Sequence, residues 1–139
     1  MRTSKQPAST SILVADDEPA IARLIASILL TQYRVEIAGA ADEAIAKLSA
    51  GSPDLLIVDV SMKGRDVLVR AMEACAPPSS VLYVSGFGFG QLRELGVDVS
   101  EANFLLKPFT MAELFGAVKR VLDTVPERHT RTRTSRPQA

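Results

Sequence analysis

The chain has one cysteine, one histidine, no tryptophan and only seven Phe and Tyr residues among its 139. A lone thiol cannot close an internal disulfide or build a thiolate metal site, so disulfide scaffolds and zinc modules are excluded. Cys75 is therefore expected to serve as a small buried apolar residue, and His129, in a basic stretch, as a solvated side chain. No apolar run approaches the roughly 18–20 residues that span a bilayer. The first eleven residues lack the apolar stretch of a secretory signal, which leaves a cytoplasmic chain with no membrane partner as the expectation. The phosphate-cradling pattern Gly-x-x-x-x-Gly-Lys is absent as well, which removes the usual support for nucleotide hydrolysis.

Charge of one sign is also missing overall, but its distribution is uneven. Six of the sixteen basic residues (Arg2, Lys5, Arg128, Arg131, Arg133 and Arg136) lie near the ends, against a single acid, Glu127. The segment from Thr10 to Val125 thus holds ten basic and fifteen acidic residues, a net of −5. An acidic body argues against a folded nucleic-acid surface, and the basic end reads as a solvated tail. With 47% hydrophobic and 23% charged residues, the length accommodates one aliphatic core and not two substantial domains. The expected organisation is a tail over 1–10, a folded domain over 11–124 and a basic, disordered tail over 125–139.

Within that domain short aliphatic runs alternate with helical patterns, the signature of a parallel sheet covered on both faces. Ile12–Ala15, Leu55–Val58, Val81–Val84 and Phe104–Leu106 are too short for independent helices and read as strands, and Tyr33–Ala38 alternates like an edge strand. Pro19 suits a first helical turn, and Ile21, Leu24, Ile25, Ile28 and Leu29 keep the spacing of one buried face. Ala41–Ala50 forms a helix closed by Gly51, and Asp66–Cys75 another, ended by Pro77 and Pro78. Thr110 and Glu113 make a capping box ahead of Leu114, Val118, Val121 and Leu122. The fourth helix, Gln91–Leu95, lies among Gly86, Gly88, Gly90 and Gly96 and is expected to be short. Five βα units with right-handed crossovers make a doubly wound α/β fold, in which ligands bind beyond the carboxyl ends of the strands.

Those ends carry the polar residues. Asp16, Asp17 and Glu18 follow the first strand, Asp59 the third, Ser85 the fourth, and Lys107 with Pro108 the fifth. Singly each has a bland reading: a helix N-terminus, a turn, a strand terminus. Gathered at one sheet end, three carboxylates repel one another or take up protons unless a cation neutralises them. An all-oxygen set of this kind suits Mg²⁺, which retains waters and shares its coordination with phosphate oxygens. Lys107 adds a positive charge and Ser85 a hydroxyl, so the set fits a doubly charged phosphoryl group.

In this order and spacing, the acidic pair, the Asp after the third strand, the Ser after the fourth and Lys107-Pro108-Phe109 resemble the receiver domain of two-component response regulators, over roughly Ser11 to Leu122. The resemblance implies a flavodoxin-like, five-stranded parallel sheet of order 2-1-3-4-5 with five helices. It makes Asp59 the nucleophile that takes a phosphoryl group from a phosphohistidine. Asp17, Asp59 and the Ser61 carbonyl would hold Mg²⁺, with Asp16 acting mainly through water, and Ser85 and Lys107 would bind the phosphoryl oxygens. Ser85 and Phe104 would form the switch, Phe104 through packing alone because it lacks the hydroxyl of the Tyr found in many relatives. The implied partners are a histidine kinase or histidine phosphotransfer protein and a downstream protein, with a homodimer through the fourth helix, fifth strand and fifth helix also allowed.

The sequence departs from the family after Asp59. Relatives commonly run Asp-x-x-Met-Pro and several further residues to a Gly, whereas here Asp59-Val60-Ser61-Met62-Lys63-Gly64-Arg65-Asp66 lacks the Pro and reaches its helix about two residues early. The resemblance places Phe87, two residues after Ser85, beside the incoming nucleophile, either to shield an acyl phosphate or, with Phe89, to cover an apolar seam. With 14 residues after Val125, no DNA-binding or other effector domain is expected to follow. The expected function is a single-domain phosphoacceptor that catalyses its own phosphoryl transfer, not an enzyme with a separate substrate. The alternative is a pseudo-receiver scaffold whose short loop prevents phosphorylation. A magnesium phosphohydrolase is disfavoured, because Asp59-Val60-Ser61 lacks the second Asp of the Asp-x-Asp pattern that such enzymes resemble.

Overall fold

The computed structural model describes residues 9–75, 81–97 and 99–134, with side chains described to residue 123. In chain order it contains β1 (Ser11–Ala15), α1 (Pro19–Leu29), β2 (Arg34–Ala38), α2 (Ala41–Ala50), β3 (Leu55–Asp59), α3 (Arg65–Cys75), β4 (Val81–Ser85), α4 (Phe89–Glu94), a 3₁₀ turn (Glu101–Asn103), β5 (Phe104–Leu106) and α5 (Met111–Thr134). All strand pairs are parallel and the sheet order is β2-β1-β3-β4-β5. The expected doubly wound, flavodoxin-like architecture is thus the observed one.

Alternation along the three central strands divides the core in two. Ile12, Val14, Leu55, Ile57, Leu82 and Val84 face α1 and α5, meeting Ile25, Leu29, Leu114 and Val118. Leu13, Leu56, Val58, Val81 and Tyr83 face the other layer, meeting Leu48, Leu68, Met72 and Leu92. Burial on both faces explains why β3 and β4 read as unbroken apolar runs and β2, at the edge, as an alternating one. Each fully buried Leu or Ile contributes about 1.5–3 kcal/mol relative to exposure, so the two half-cores supply the main driving force for folding.

The helix ends follow local chemistry. Pro19 opens α1. At α5 the Glu113 amide donates to Thr110 Oγ1 at 3.0 Å and the Thr110 amide donates to Glu113 Oε1 at 2.8 Å, the expected capping box. α4 has six residues and starts two residues earlier than its glycine-rich sequence suggested, because the Gln91 side chain accepts the Gly88 amide at 3.0 Å. It ends at Glu94, two residues before Gly96, whose φ of +84° favours glycine.

Three expectations are corrected or fall outside view. Cys75 is exposed, not buried. It keeps the spacing of the buried stripe, three residues after Met72, but it is the last residue of α3, and helical period alone does not bury a residue at a helix end. The domain boundary expected at Thr124 falls inside α5, whose backbone remains helical to Thr134; Pro126 removes one ladder donor without ending the helix. The expected N-terminal tail up to residue 8, residues 135–139 and the His129 side chain lie outside what is described. Among the described residues no helix is long and apolar enough to cross a membrane.

Candidate phosphoacceptor site

Strand register assembles the site. Ala15 pairs with Val58, so Asp16 and Asp59, one step further, lie side by side at the carboxyl ends of β1 and β3. Asp59 pairs with Val84, Ser85 follows it, and Ser85 pairs with Leu106, after which comes Lys107. The Lys107 amide donates to the Ser85 carbonyl at 2.7 Å, extending the ladder to the lysine itself.

Asp16, Asp17 and Asp59 each offer a carboxylate oxygen, and these oxygens all lie within 4.8 Å of one another. Asp16 and Asp59 are buried and Asp17 is exposed, so the cluster opens on one side to solvent. Lys107 Nζ lies 3.1 Å from Asp59 Oδ1 and 3.6 Å from Asp16 Oδ2. Asp16 Oδ1 accepts the Glu18 amide at 2.9 Å, but Asp16 Oδ2 is buried without a hydrogen bond. Such an oxygen is costly unless a cation or proton meets it. Accordingly the Asp16 carboxyl is pushed above its ordinary range, first by burial and then by the charge of Asp59, against the opposing Glu18 amide and Lys107. Burial works to discharge Lys107, but the hydrogen bond and charge of Asp59, then the charge of Asp16, outweigh it and raise its pKa.

A buried carboxylate oxygen without a hydrogen bond, in an all-oxygen cluster, fits a hard divalent cation such as Mg²⁺. The donor set is Asp16, Asp17 and Asp59, with the Ser61 carbonyl nearby in sequence on the loop that follows Asp59. The Ser61 side chain has its own contact: its hydroxyl donates to Asp59 Oδ2 at 2.6 Å. Ser85 is buried, and its hydroxyl oxygen accepts the Phe87 amide at 2.8 Å.

The remaining residues singled out from sequence divide. Phe104 is already inward, packed on the α2–α4 side of the core with its ring edge-to-face to Phe89 at 6.0 Å and 66°. The Arg93 guanidinium stands 5.7 Å from the centre of the Phe89 ring. Phe89 therefore covers the seam, whereas Phe87 is 48% exposed and packs into neither half-core. The sequence reading missed Arg65, whose Nη1 donates to the Val60 carbonyl at 2.7 Å.

Similarity to known proteins agrees with this geometry. A family model described as the response regulator receiver domain matches residues 12–119, and the chain belongs to that family. Over 121 residues it is 33% identical to the transcriptional regulatory protein ResD of Bacillus subtilis, covering 84% of this chain and 50% of ResD. It is 30% identical over 119 residues to the nitrogen assimilation regulatory protein NtrX of Azorhizobium caulinodans, covering 82% of this chain and 26% of NtrX. The chain thus spans half or less of these relatives' lengths. The structure of the chemotaxis response regulator CheY4 of Vibrio cholerae superposes with a TM-score of 0.71 at 26% identity, covering 82% of this chain and 99% of that one. Receiver domains are signalling modules of two-component systems that interact with histidine kinases and typically bind Mg²⁺.

Proposed function

We propose that this chain accepts a phosphoryl group on Asp59 from a phosphohistidine of a histidine kinase or phosphotransfer protein. The observation that carries the reading is the buried, unbonded Asp16 Oδ2 beside Asp59, with Lys107 bridging the two acids. In this reading an Asp59 oxygen attacks phosphorus, the phosphorus–nitrogen bond of the donor breaks, and the imidazole leaves with its electron pair. Lys107 moves its ion pair from the Asp59 carboxylate to a phosphoryl oxygen, and the Ser85 hydroxyl donates to another. Asp16, Asp17, Asp59 and the Ser61 carbonyl would hold Mg²⁺, which when bound neutralises the crowded carboxylates and shares the phosphoryl oxygens. Positioning and charge neutralisation then supply most of the catalysis, as phosphoryl transfer requires.

Output follows from differential contacts, since a phosphoryl group that met two states equally would shift nothing. Withdrawal of the Ser85 hydroxyl from the Phe87 amide, coupled to packing of Phe104 on Phe89, links the site to α4. Exposed Leu95, Leu106 and Met111, at the end of α4, on β5 and at the start of α5, support a protein-binding or homodimer surface there. The reading carries a cytoplasmic location with it.

A second reading, a scaffold that is not phosphorylated, rests on the Ser61 hydroxyl at Asp59 Oδ2, which leaves both Asp59 oxygens engaged before any donor arrives. Intact-protein mass after incubation with acetyl phosphate separates the two. Phosphoacceptor function predicts one added phosphoryl group with Mg²⁺, none with chelator and none in Asp59→Asn. No addition from acetyl phosphate or from a phosphohistidine donor would overturn the phosphoacceptor reading and favour the scaffold.

A further inference from the structure

The β3–α3 loop is held at several points along its length. Only residues 60–64 separate β3 from α3. The Val60 amide donates to the Val84 carbonyl at 2.9 Å and the Met62 amide to the Asp59 carbonyl at 3.1 Å, while the Val60 and Met62 side chains are buried. Gly64 has φ +82°, and a Cβ there would stand 2.8 Å from the Ala41 Cβ, so the chain passes against α2 where only glycine fits.

One backbone acceptor in this loop is met by a side chain from α3. Arg65 Nη1 donates to the Val60 carbonyl at 2.7 Å, and its Nε and Nη2 donate to Asp66 Oδ1 at 3.0 and 2.8 Å. The Arg65 side chain is 21% exposed, against 68% for Asp66, so the guanidinium lies along the loop and the carboxylate steadies it from the solvent side. The peptide so fixed is the one joining Val60 to Ser61. Among the described residues no hydrogen bond uses the Ser61 carbonyl.

We propose that Arg65 is a positioning residue for the metal site: by holding the Val60 carbonyl it fixes the peptide before Ser61 and, together with the bond from the Met62 amide to the Asp59 carbonyl, sets the direction of the Ser61 carbonyl, which shares a peptide with that amide. The inference rests on the reading of the carboxylate cluster as a Mg²⁺ site. It explains how a loop lacking the Pro of its relatives still presents a backbone ligand: a side-chain donor from α3 supplies the rigidity instead. Groups that orient metal ligands typically contribute about 10–100-fold in metal affinity when removed.

Charge alone predicts the opposite sign. Arg65 is a cation near a cation site, so deleting its charge would tighten Mg²⁺ binding if the residue acted only through its field. The test is Mg²⁺ affinity by calorimetry for wild type, Arg65→Met and Arg65→Lys, with thermal unfolding as the check on folding. Hydrogen exchange of the Met62 amide in Mg²⁺-free protein gives a readout independent of metal and of activity. Positioning predicts about 10-fold weaker binding for Arg65→Met. It predicts faster Met62 exchange in that variant, and for Arg65→Lys, which keeps one donor but not the planar fork, weaker binding than wild type by a smaller factor. Unchanged or tighter binding by a folded Arg65→Met would overturn the proposal while leaving the site intact. Should that variant not fold, Arg65→Lys carries the test, and wild-type affinity in it would overturn the proposal. A wild-type protein that binds no Mg²⁺ would instead overturn the reading of the cluster, and the inference with it.

Discussion

The two ends of the sheet treat a carboxylate in opposite ways. At the amino end Asp54 Oδ2 accepts the Ser11 amide at 2.9 Å and the Ser11 hydroxyl at 3.4 Å, and the Asp54 amide returns a bond to the Ser11 carbonyl at 2.8 Å. At the carboxyl end Asp16 is more deeply buried, has Asp59 beside it and keeps one oxygen without a hydrogen bond. The first arrangement is a finished joint between β1 and the start of β3. The second meets that oxygen only through the Lys107 ion pair at 3.6 Å, and a buried carboxylate oxygen left without a hydrogen bond marks a site rather than a support.

The largest expected effect is at Asp59, where Asp59→Asn abolishes phosphoryl acceptance in the mass measurement. Lys107→Met comes next: loss of the cation facing both Asp59 and a transferred phosphoryl group should slow acceptance by about 10²-fold, read as the rate of mass gain. A smaller pair of effects sets the two sheet ends against each other. In Mg²⁺-free protein Asp16→Asn should raise stability and Asp54→Ala lower it, each by about 1 kcal/mol in denaturant unfolding. Two substitutions of the same sign would erase the contrast between a finished and an unfinished carboxylate.

The smallest effect concerns pH. Because the Asp16 carboxyl is raised above its usual value of 3.8, the folded metal-free protein holds more protons than the unfolded chain just above that pH. Its stability should therefore fall as pH rises through this window, a component absent from Asp16→Asn. Lys107 contributes in the other range: its raised pKa gives stability that is complete below about 10.5 and lost as pH climbs past the folded value. Unfolding midpoints measured across both windows check the two signs.

Much of this was readable in the residues. Leu55–Val58 and Val81–Val84 announced themselves because a strand buried on both faces must be apolar throughout, and the Thr110–Glu113 box because capping is local. Asp16, Asp17, Asp59, Ser85 and Lys107 were legible as strand-end residues once the βα order was known. What escaped depends on side-chain direction or distant partners. Arg65 follows a glycine and reads as a solvated charge until its guanidinium is found on Val60. The family resemblance points to the Ser61 carbonyl, and no spacing rule gives the rotamer that turns its hydroxyl to Asp59. Phe104 and Phe89 meet from different elements, and Cys75 satisfied a helical period that its place at the helix end does not honour.

If the site works as proposed, Asp59, and no other carboxylate of the cluster, becomes the acyl phosphate. Borohydride reduction of the protein after reaction with a phosphohistidine donor and Mg²⁺, followed by peptide sequencing, tests it directly, because reduction converts a phosphorylated aspartate to homoserine. Homoserine is expected at position 59 alone. Homoserine at position 16 or 17, or phosphate retained on a serine, would contradict it.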